Sequence, residues 1–262
     1  MGIIFDGNAF AKEKEKALKK RISKLKPKLI SILVGDDKAS ALYTKLKQKA
    51  AKRVGIKFEI KRFNSNVSKE KIVFLIKQLN KDKNVQGIMV QLPLPKRLRS
   101  EIQNILDSIS PEKDIDGLTK NSPFIPATTK AIIRILGEAK EKLREGKEKV
   151  VVVGEKGTVG KSVMKELKNL NYDVTGVDIE TEDLKSVTEK ADILISTTGV
   201  PNLIKGNMVK DGVVIIDVGS PHGDVLFNEV IQKASFITPV PGGIGPVTII
   251  SLLENLIQAI LS

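Results

Sequence analysis

The run Val150-Val-Val-Val-Gly154-Glu-Lys-Gly157-Thr-Val-Gly160-Lys161 decides the fold. Four consecutive valines read as a strand buried on both faces, as strands of parallel sheets are. The glycines then turn the chain into a helix. Without side chains they let the backbone approach a pyrophosphate at a helix N-terminus, where free N–H groups and the dipole favour anions. The spacing is G-x-x-G-x-x-G rather than G-x-G-x-x-G, so by itself it suits either a dinucleotide loop or an ordinary tight turn. Asp178 ends the next strand, 24 residues after Gly154. An acid there either accepts hydrogen bonds from an adenosine ribose or simply sits exposed at a strand end.

Toward the C-terminus the strand-like segments are Asp173–Val177, Asp192–Ser196, Val213–Val218 and Phe236–Thr238, with helices between the first of them. Thr238 to Pro246 (TPVPGGIGP) is rich in Pro and Gly and reads as a rigid ligand wall or a kinked domain junction. Ile249–Leu261 closes the chain as an apolar helix. Toward the N-terminus, Lys147-Glu148-Lys149 leads into the valine strand. Before it come a connecting helix over Thr129–Leu143 and an irregular, proline-containing stretch over Ser110–Thr128.

The first third alternates element types. Helices are expected over Asn8–Leu25, Ala39–Val54, Ser68–Asn80 and Arg99–Ile109, with Gly55 as a C-cap and Ser68 as an N-cap. Strands are expected over Lys28–Val34, Ile56–Phe63 and Gly87–Gln91. This order predicts two α/β domains with parallel sheets, the second Rossmann-like, joined by connecting helices around a cleft. The boundaries fall at 1–137, completed by a C-terminal helix over 247–262, and at 138–246.

Composition narrows the chemistry. Of 262 residues none is cysteine and one is histidine, His222, which disfavours thiolate catalysis, a Ser-His-Asp triad or a His/Cys metal site. The net charge of +13 raises nucleic acid as a partner, but lysines are interleaved with glutamates, as in Lys12-Glu13-Lys14-Glu15-Lys16, and aromatics are only 4%. A lysine-biased solvated surface is the better reading, with attraction of small anionic ligands as the second and nucleic acid the last. No apolar run reaches the ~20 residues of a membrane span and no signal peptide opens the chain, so a cytoplasmic protein is expected.

Three constellations carry polar chemistry. Tyr43 and Lys47 lie four apart on one helix face, where a partly buried lysine beside a phenol can serve proton transfer or simply be solvated. Gln91 ends an apolar strand, the place where open α/β sheets bind ligands, and is followed by Leu92-Pro93-Leu94-Pro95. Asp114 and Asp116, in PEKDIDG, put two carboxylates in a turn, as ligand acceptors or as turn chemistry.

Together these segments resemble one family, the bifunctional methylenetetrahydrofolate dehydrogenase/cyclohydrolases. The resemblance rests on VGDDKASALYTKLK (Val34–Lys47), GIMVQLPLP, PEKDIDGL, ADILISTTGVP, VIIDVG and TPVPGGIGP, in that order along nearly the whole chain. It implies a folate-binding catalytic first domain and a dinucleotide-binding second. It also implies oxidation of 5,10-methylenetetrahydrofolate to the methenyl form and hydrolysis of that to 10-formyltetrahydrofolate. By the same resemblance Lys47 is the catalytic lysine, Tyr43 stacks on the folate, Gln91 positions Lys47 and Asp116 holds the pterin edge. Leu92, Pro93, Pro241, Gly242 and Gly243 complete the substrate wall. Gly154, Glu155, Lys156, Gly157, Val159, Gly160, Asp178, Thr198, Gly199, Asp217 and Gly219 are the implied cofactor contacts. No metal is called for; a homodimer and polyglutamylated folates are the implied partners.

Several positions depart from the family pattern. The loop after Gly117 is short, and the usual P-C-T-P-x-G reads Pro126-Ala127-Thr128-Thr129-Lys130-Ala131. The segment Gly219-Ser-Pro-His-Gly-Asp224-Val is trimmed. NADP-using members place Arg after the first loop glycine and Ser after the second strand; here Glu155 and Ile179 stand there, beside Asp178 and Glu180. NAD is therefore the expected cofactor, with NADP as the alternative. Rival readings are a two-domain dehydrogenase of a small acid, a folate-binding relic without turnover, and a basic nucleic-acid-binding protein.

Overall fold

The computed structural model describes residues 2–22, 25–140, 143 and 148–261. In its first half the elements are β1 (Ile3–Ile4), α1 (Gly7–Ile22), β2 (Lys28–Val34), α2 (Lys38–Val54), β3 (Lys57–Phe63), α3 (Lys69–Lys81) and β4 (Gly87–Val90). A 3₁₀ turn, Lys96–Glu101, then runs into α4 (Ile102–Leu106). The second half contains α5 (Ala127–Ala139), β5 (Lys149–Val153), α6 (Thr158–Asn169), β6 (Asp173–Val177), α7 (Leu184–Thr188) and β7 (Ile193–Ser196). It ends with β8 (Val214–Asp217), α8 (Phe227–Val230), β9 (Phe236–Ile237) and α9 (Ile244–Leu261).

The chain divides into two compact units, Lys12–Ala127 with Ile249–Ser262, and Met1–Ala11 with Thr128–Thr248. The expected boundary at 137/138 thus falls at 127/128, and the first eleven residues join the second unit. Their reason is β1, whose Ile3 and Ile4 pair in parallel with Phe236 and Ile237 of β9. A two-residue strand has no periodicity to read, so the sequence does not announce it.

The Lys12–Ala127 unit holds a three-stranded parallel sheet in the order β3-β2-β4. The central strand β2, KLISILV, is buried from Leu29 onward, which accounts for its unbroken apolar run. Ile72 and Ile76 of α3 pack on Ile30, Ile32 and Ile88 in its core. Asp37 caps α2 by accepting the Ser40 N–H at 2.7 Å, and Gly55 closes it in the left-handed region. Ser68 caps α3 as read. From α9, Asn255 Nδ2 donates to the carbonyls of Ile115 and Ile125, both at 3.0 Å, tying the helix to the irregular stretch before α5.

The other unit carries a six-stranded parallel sheet, β1-β9-β8-β7-β5-β6. Val150 and Val152 face a core with Ile132, Ile135, Val163 and Leu167, while Val151 and Val153 face another with Ile204 and Ile215. Burial on both faces is what the four valines required.

Some expected bounds shift. The helix read over Arg99–Ile109 is a 3₁₀ turn followed by one short α-turn, because Pro95 and the irregular Ile109–Ser110 junction confine it. Two helices, read over Asn8–Leu25 and Thr129–Leu143, end at Ile22 and Ala139; Ser23, Lys24, Glu141 and Lys142 lie outside the described residues, as does Lys147. The closing helix starts at Ile244 rather than Ile249. Pro246 sits in its first turn, where a missing N–H breaks no intrahelical bond. By length and apolarity α9 would pass for a membrane span, yet Val247, Leu252, Leu253, Leu256 and Ile257 are fully buried in the protein.

Candidate active site

In the Lys12–Ala127 unit, α2 and β4 bring Lys47 and Gln91 together. Lys47 is 7% exposed, and its Nζ donates to Gln91 Oε1 at 3.1 Å, with Met89 Sδ at 4.0 Å. Gln91 is held in turn, since its Nε2 donates to the Leu92 carbonyl at 2.7 Å. Its amide orientation is therefore fixed as an acceptor toward the lysine. The Leu92–Pro93 peptide is cis. Tyr43, one turn before Lys47 on α2, is half-buried.

Burial pushes the Lys47 ammonium below its ordinary range, and the nearby Asp116 carboxylate opposes the shift. Burial likewise pushes Asp116 up, while Lys47 pulls it down and Asp114 adds to the rise. The two acids of the turn separate cleanly here. Asp114 is 1% exposed and spends its oxygens on the turn, accepting the N–H of Gly117 at 3.2 Å and of Thr119 at 2.7 Å. Asp116 has its carbonyl bound by the Ala127 N–H at 3.2 Å, and its side chain is left facing the lysine's charge. The short loop after Gly117 is thus pinned at both ends.

In the other unit, the glycine loop has the form a pyrophosphate needs. Gly154 takes φ +92°, and a Cβ there would come within 2.8 Å of Thr197 Oγ1. A Cβ on Gly160 would collide with the Gly154 carbonyl oxygen, so only glycine permits this close strand-to-helix packing. No side chain caps α6 at Gly157, which leaves its first-turn N–H groups for an anion. Val159, partly buried, packs its side chain against the core of this unit. Past β6, Asp178 Oδ2 accepts the Lys156 N–H at 3.2 Å, and Lys156 Nζ pairs with Glu180 at 3.2 Å. Glu155 lies over the backbone of Gly176 in β6. The glycine turn and the first-turn N–H groups of α6 fit the pyrophosphate of a dinucleotide, and Asp178 Oδ1 also accepts the Ile179 N–H at 2.8 Å.

Beyond β7 and β8, Thr198, Gly199, Asp217 and Gly219 come together with a residue that the sequence reading missed, Asp224. Asp217 builds its own loop. Its oxygens accept the N–H groups of Gly219 at 2.8 Å and of Asp224 and Val225 at 3.0 Å each. Burial, with Asp224 beside it, pushes the Asp217 carboxyl up to about 6 despite those three donors. The residue expected as a cofactor contact thus also holds together the loop after β8. Pro241, Gly242 and Gly243 follow Thr238, whose Oγ1 accepts the Asp217 N–H at 2.8 Å, so the TPVPGG loop is tied to the backbone of the same residue. Only the position of Asp224, inside a Gly-rich run, hinted at its part.

Family models match both parts of the chain: the tetrahydrofolate dehydrogenase/cyclohydrolase catalytic domain over residues 5–116, and the NAD(P)-binding domain of the same name over 126–262. The bifunctional protein FolD of Clostridium tetani is 41% identical, over 98% of this chain and 99% of its own length. The crystal structure of the bifunctional FolD dehydrogenase/cyclohydrolase from Campylobacter jejuni superposes with a TM-score of 0.90 at 37% identity, covering 99% of this chain and 98% of that one. A methylenetetrahydrofolate dehydrogenase-cyclohydrolase of Trypanosoma brucei, solved with NADP cofactor and inhibitor, gives a TM-score of 0.91 at 32% identity, over 98% and 97% of the two chains.

Proposed function

The chain belongs to the tetrahydrofolate dehydrogenase/cyclohydrolase family, and on that premise we propose that Lys47, Gln91 and Asp116 form its folate-processing site. The protein is a bifunctional enzyme of one-carbon metabolism. It oxidises 5,10-methylenetetrahydrofolate to the 5,10-methenyl form with a nicotinamide cofactor, and hydrolyses the methenyl form to 10-formyltetrahydrofolate.

The observation that carries the site is the buried Lys47, donating to Gln91 and facing the charge of Asp116. Oxidation turns a neutral substrate into a cation, and a nicotinamide held in the other unit would supply the hydride acceptor. A lysine whose burial favours the neutral amine does not oppose that charge, and the Asp116 carboxylate favours it. Hydrolysis then needs water to attack the methenyl carbon. Neutral Lys47 takes a proton from that water as the carbinolamine forms and, as ammonium, returns it to the ring nitrogen as the C–N bond breaks, the carbinol O–H proton leaving to solvent as the formyl C=O forms, with Gln91 keeping Nζ aimed. Asp116 accepts hydrogen bonds from the donor edge of the pterin, and Tyr43, Leu92 and Pro93 supply the surface around it.

NAD is the preferred cofactor in this reading. A 2′-phosphate would enter among Glu155, Asp178 and Glu180, and Lys156, the one nearby counter-charge in this loop, is already paired with Glu180. The free 2′-hydroxyl of NAD instead meets acceptors. The cysteine-free composition agrees with a cytoplasmic setting, the family habit supports a homodimer, and the basic surface suits polyglutamylated folates. A spectrophotometric assay with methylenetetrahydrofolate and each of NAD and NADP, following methenyl formation and decay, tests the whole reading. Methenyl that forms with neither cofactor, or forms and does not decay beyond the uncatalysed rate, refutes it.

A further inference from the structure

Asp224 is fully buried, and neither reaction as described above uses it. Its Oδ2 accepts three hydrogen bonds: from Ser196 Oγ at 2.8 Å, from the Thr198 N–H at 2.7 Å and from Thr198 Oγ1 at 2.9 Å. Its own N–H donates to Asp217, and its carbonyl accepts the Ile204 N–H at 3.0 Å. One carboxylate thus anchors the loops that follow β7 and β8 to each other. The effect on Thr198 is specific. The hydroxyl gives its single proton to Asp224 and accepts the Val200 N–H at 3.2 Å. One lone pair remains, so toward a ligand Thr198 can act only as an acceptor.

Sheet order says which end of a dinucleotide this loop serves. The glycine loop ends β5, and the ribose-facing carboxylates follow β6, on one side of it. Strands β7 and β8 lie on the other side, the half of a Rossmann-type sheet that takes the second nucleoside. A cavity of about 320 Å³ is lined by Pro201 and Asn202, just beyond Thr198 in the chain, together with Asp217, Val225, Val240 and Pro241; Thr198 itself stands outside this lining.

We infer that Asp224 is a positioning residue for the nicotinamide end of the cofactor: by fixing Thr198 as an acceptor it makes the site select a ring that carries an N–H donor. The inference rests on the cofactor reading above. A carboxamide supplies the donor; the same ring with a methyl ketone does not.

Calorimetric titration of the full-length protein with NAD and with its acetylpyridine analogue tests this, with the cofactor-free cyclohydrolase reaction as a second readout. The wild type binds NAD about tenfold or more tightly over the analogue. Asp224→Ala loses most of that preference while its cyclohydrolase turnover is unchanged. Thr198→Val and Thr198→Ser decide the matter if Asp224→Ala does not fold: the valine variant loses the preference and the serine variant keeps it. An Asp224→Ala protein that keeps the wild-type preference, or a Thr198→Val protein that does so, overturns the inference. So does a folded Asp224→Ala whose cyclohydrolase falls along with its cofactor affinity. A wild type that binds neither dinucleotide brings down the cofactor reading itself, and this inference with it.

Discussion

Lys47 Nζ donates to Gln91 Oε1 at 3.1 Å, while Asp116 acts on the same ammonium through its charge. The lysine is therefore aimed by a neutral amide and tuned by a carboxylate. An ion pair with a direct carboxylate partner would have locked it in the protonated form. The arrangement found leaves the proton mobile, which is what a group that must take and return one requires.

Replacing Lys47 with Met tests that role. The substitution removes a desolvated charge but leaves Gln91 Oε1 without its donor, two opposing effects that keep the net stability change to roughly 1–2 kcal/mol. Cyclohydrolase activity should fall by about 10²–10⁴-fold, the usual worth of general acid–base assistance. Methenyl hydrolysis at the wild-type rate in a folded Lys47→Met protein would remove Lys47 from the chemistry.

Asp116 raises the Lys47 pKa against the effect of burial, which fixes the sign of a second outcome. The cyclohydrolase rate at saturating folate should rise with pH as the amine becomes neutral. In Asp116→Asn the lysine loses its counter-charge, so that rise moves to lower pH. Folate affinity should also fall, by about tenfold to a hundredfold, as a charge-assisted acceptor is lost, with cofactor affinity unchanged. A pH profile that stays in place or moves upward would show that Asp116 does not act on Lys47.

The scaffold was legible wherever burial was symmetric or a cap was local. KLISILV and the four valines are buried on both faces, so composition alone marks them as strands. Gly55 and Ser68 act within one turn of their own position. The wider bonds were not legible. Asp114 and Asp116 sit two apart in one turn, and only the backbone path shows that the first builds the turn while the second faces Lys47. Asp224 is bonded to Ser196 and Thr198, 28 and 26 residues away, a pairing that no local spacing encodes. The loop-building bonds of Asp217 were hidden for the same reason, since its partners are backbone N–H groups of a loop that turns back over it.

The raised carboxyl of Asp217 makes stability depend on pH. Its pKa stands at about 6 in the folded chain against an ordinary 3.8, so the folded state binds the proton more tightly. The contribution is fully present below about pH 4 and is lost as pH rises through about 6, amounting to about 3 kcal/mol. Urea unfolding of wild type and Asp217→Asn between about pH 4 and pH 7 reads this directly. Wild type should lose stability with rising pH over that range relative to the variant. Two parallel curves would mean that Asp217 titrates in the folded protein as it does in the unfolded chain.

Cofactor choice turns on Glu155, Lys156, Asp178 and Glu180. A 2′-phosphate brings up to two negative charges into a loop that already holds three carboxylates, and it can recruit Lys156 only by breaking the pair with Glu180. That pair is largely exposed, with side chains 65% and 78% accessible, so solvent screens both the repulsion and the attraction. The discrimination should therefore be moderate, with kcat/KM for NAD exceeding that for NADP by about 10–100-fold, or about 1.4–2.7 kcal/mol. Salt should narrow the ratio, because screening relieves repulsion among exposed charges. Glu155→Arg combined with Glu180→Gln places a guanidinium beside the ribose and frees Lys156, leaving Asp178 to hold the Lys156 N–H as before. The double variant should move the ratio toward NADP, mainly through KM, since binding and not hydride transfer is what these groups control. A wild type that favours NADP contradicts the charge argument outright. A double variant with an unchanged ratio would instead locate the reading of the ribose elsewhere in the loop.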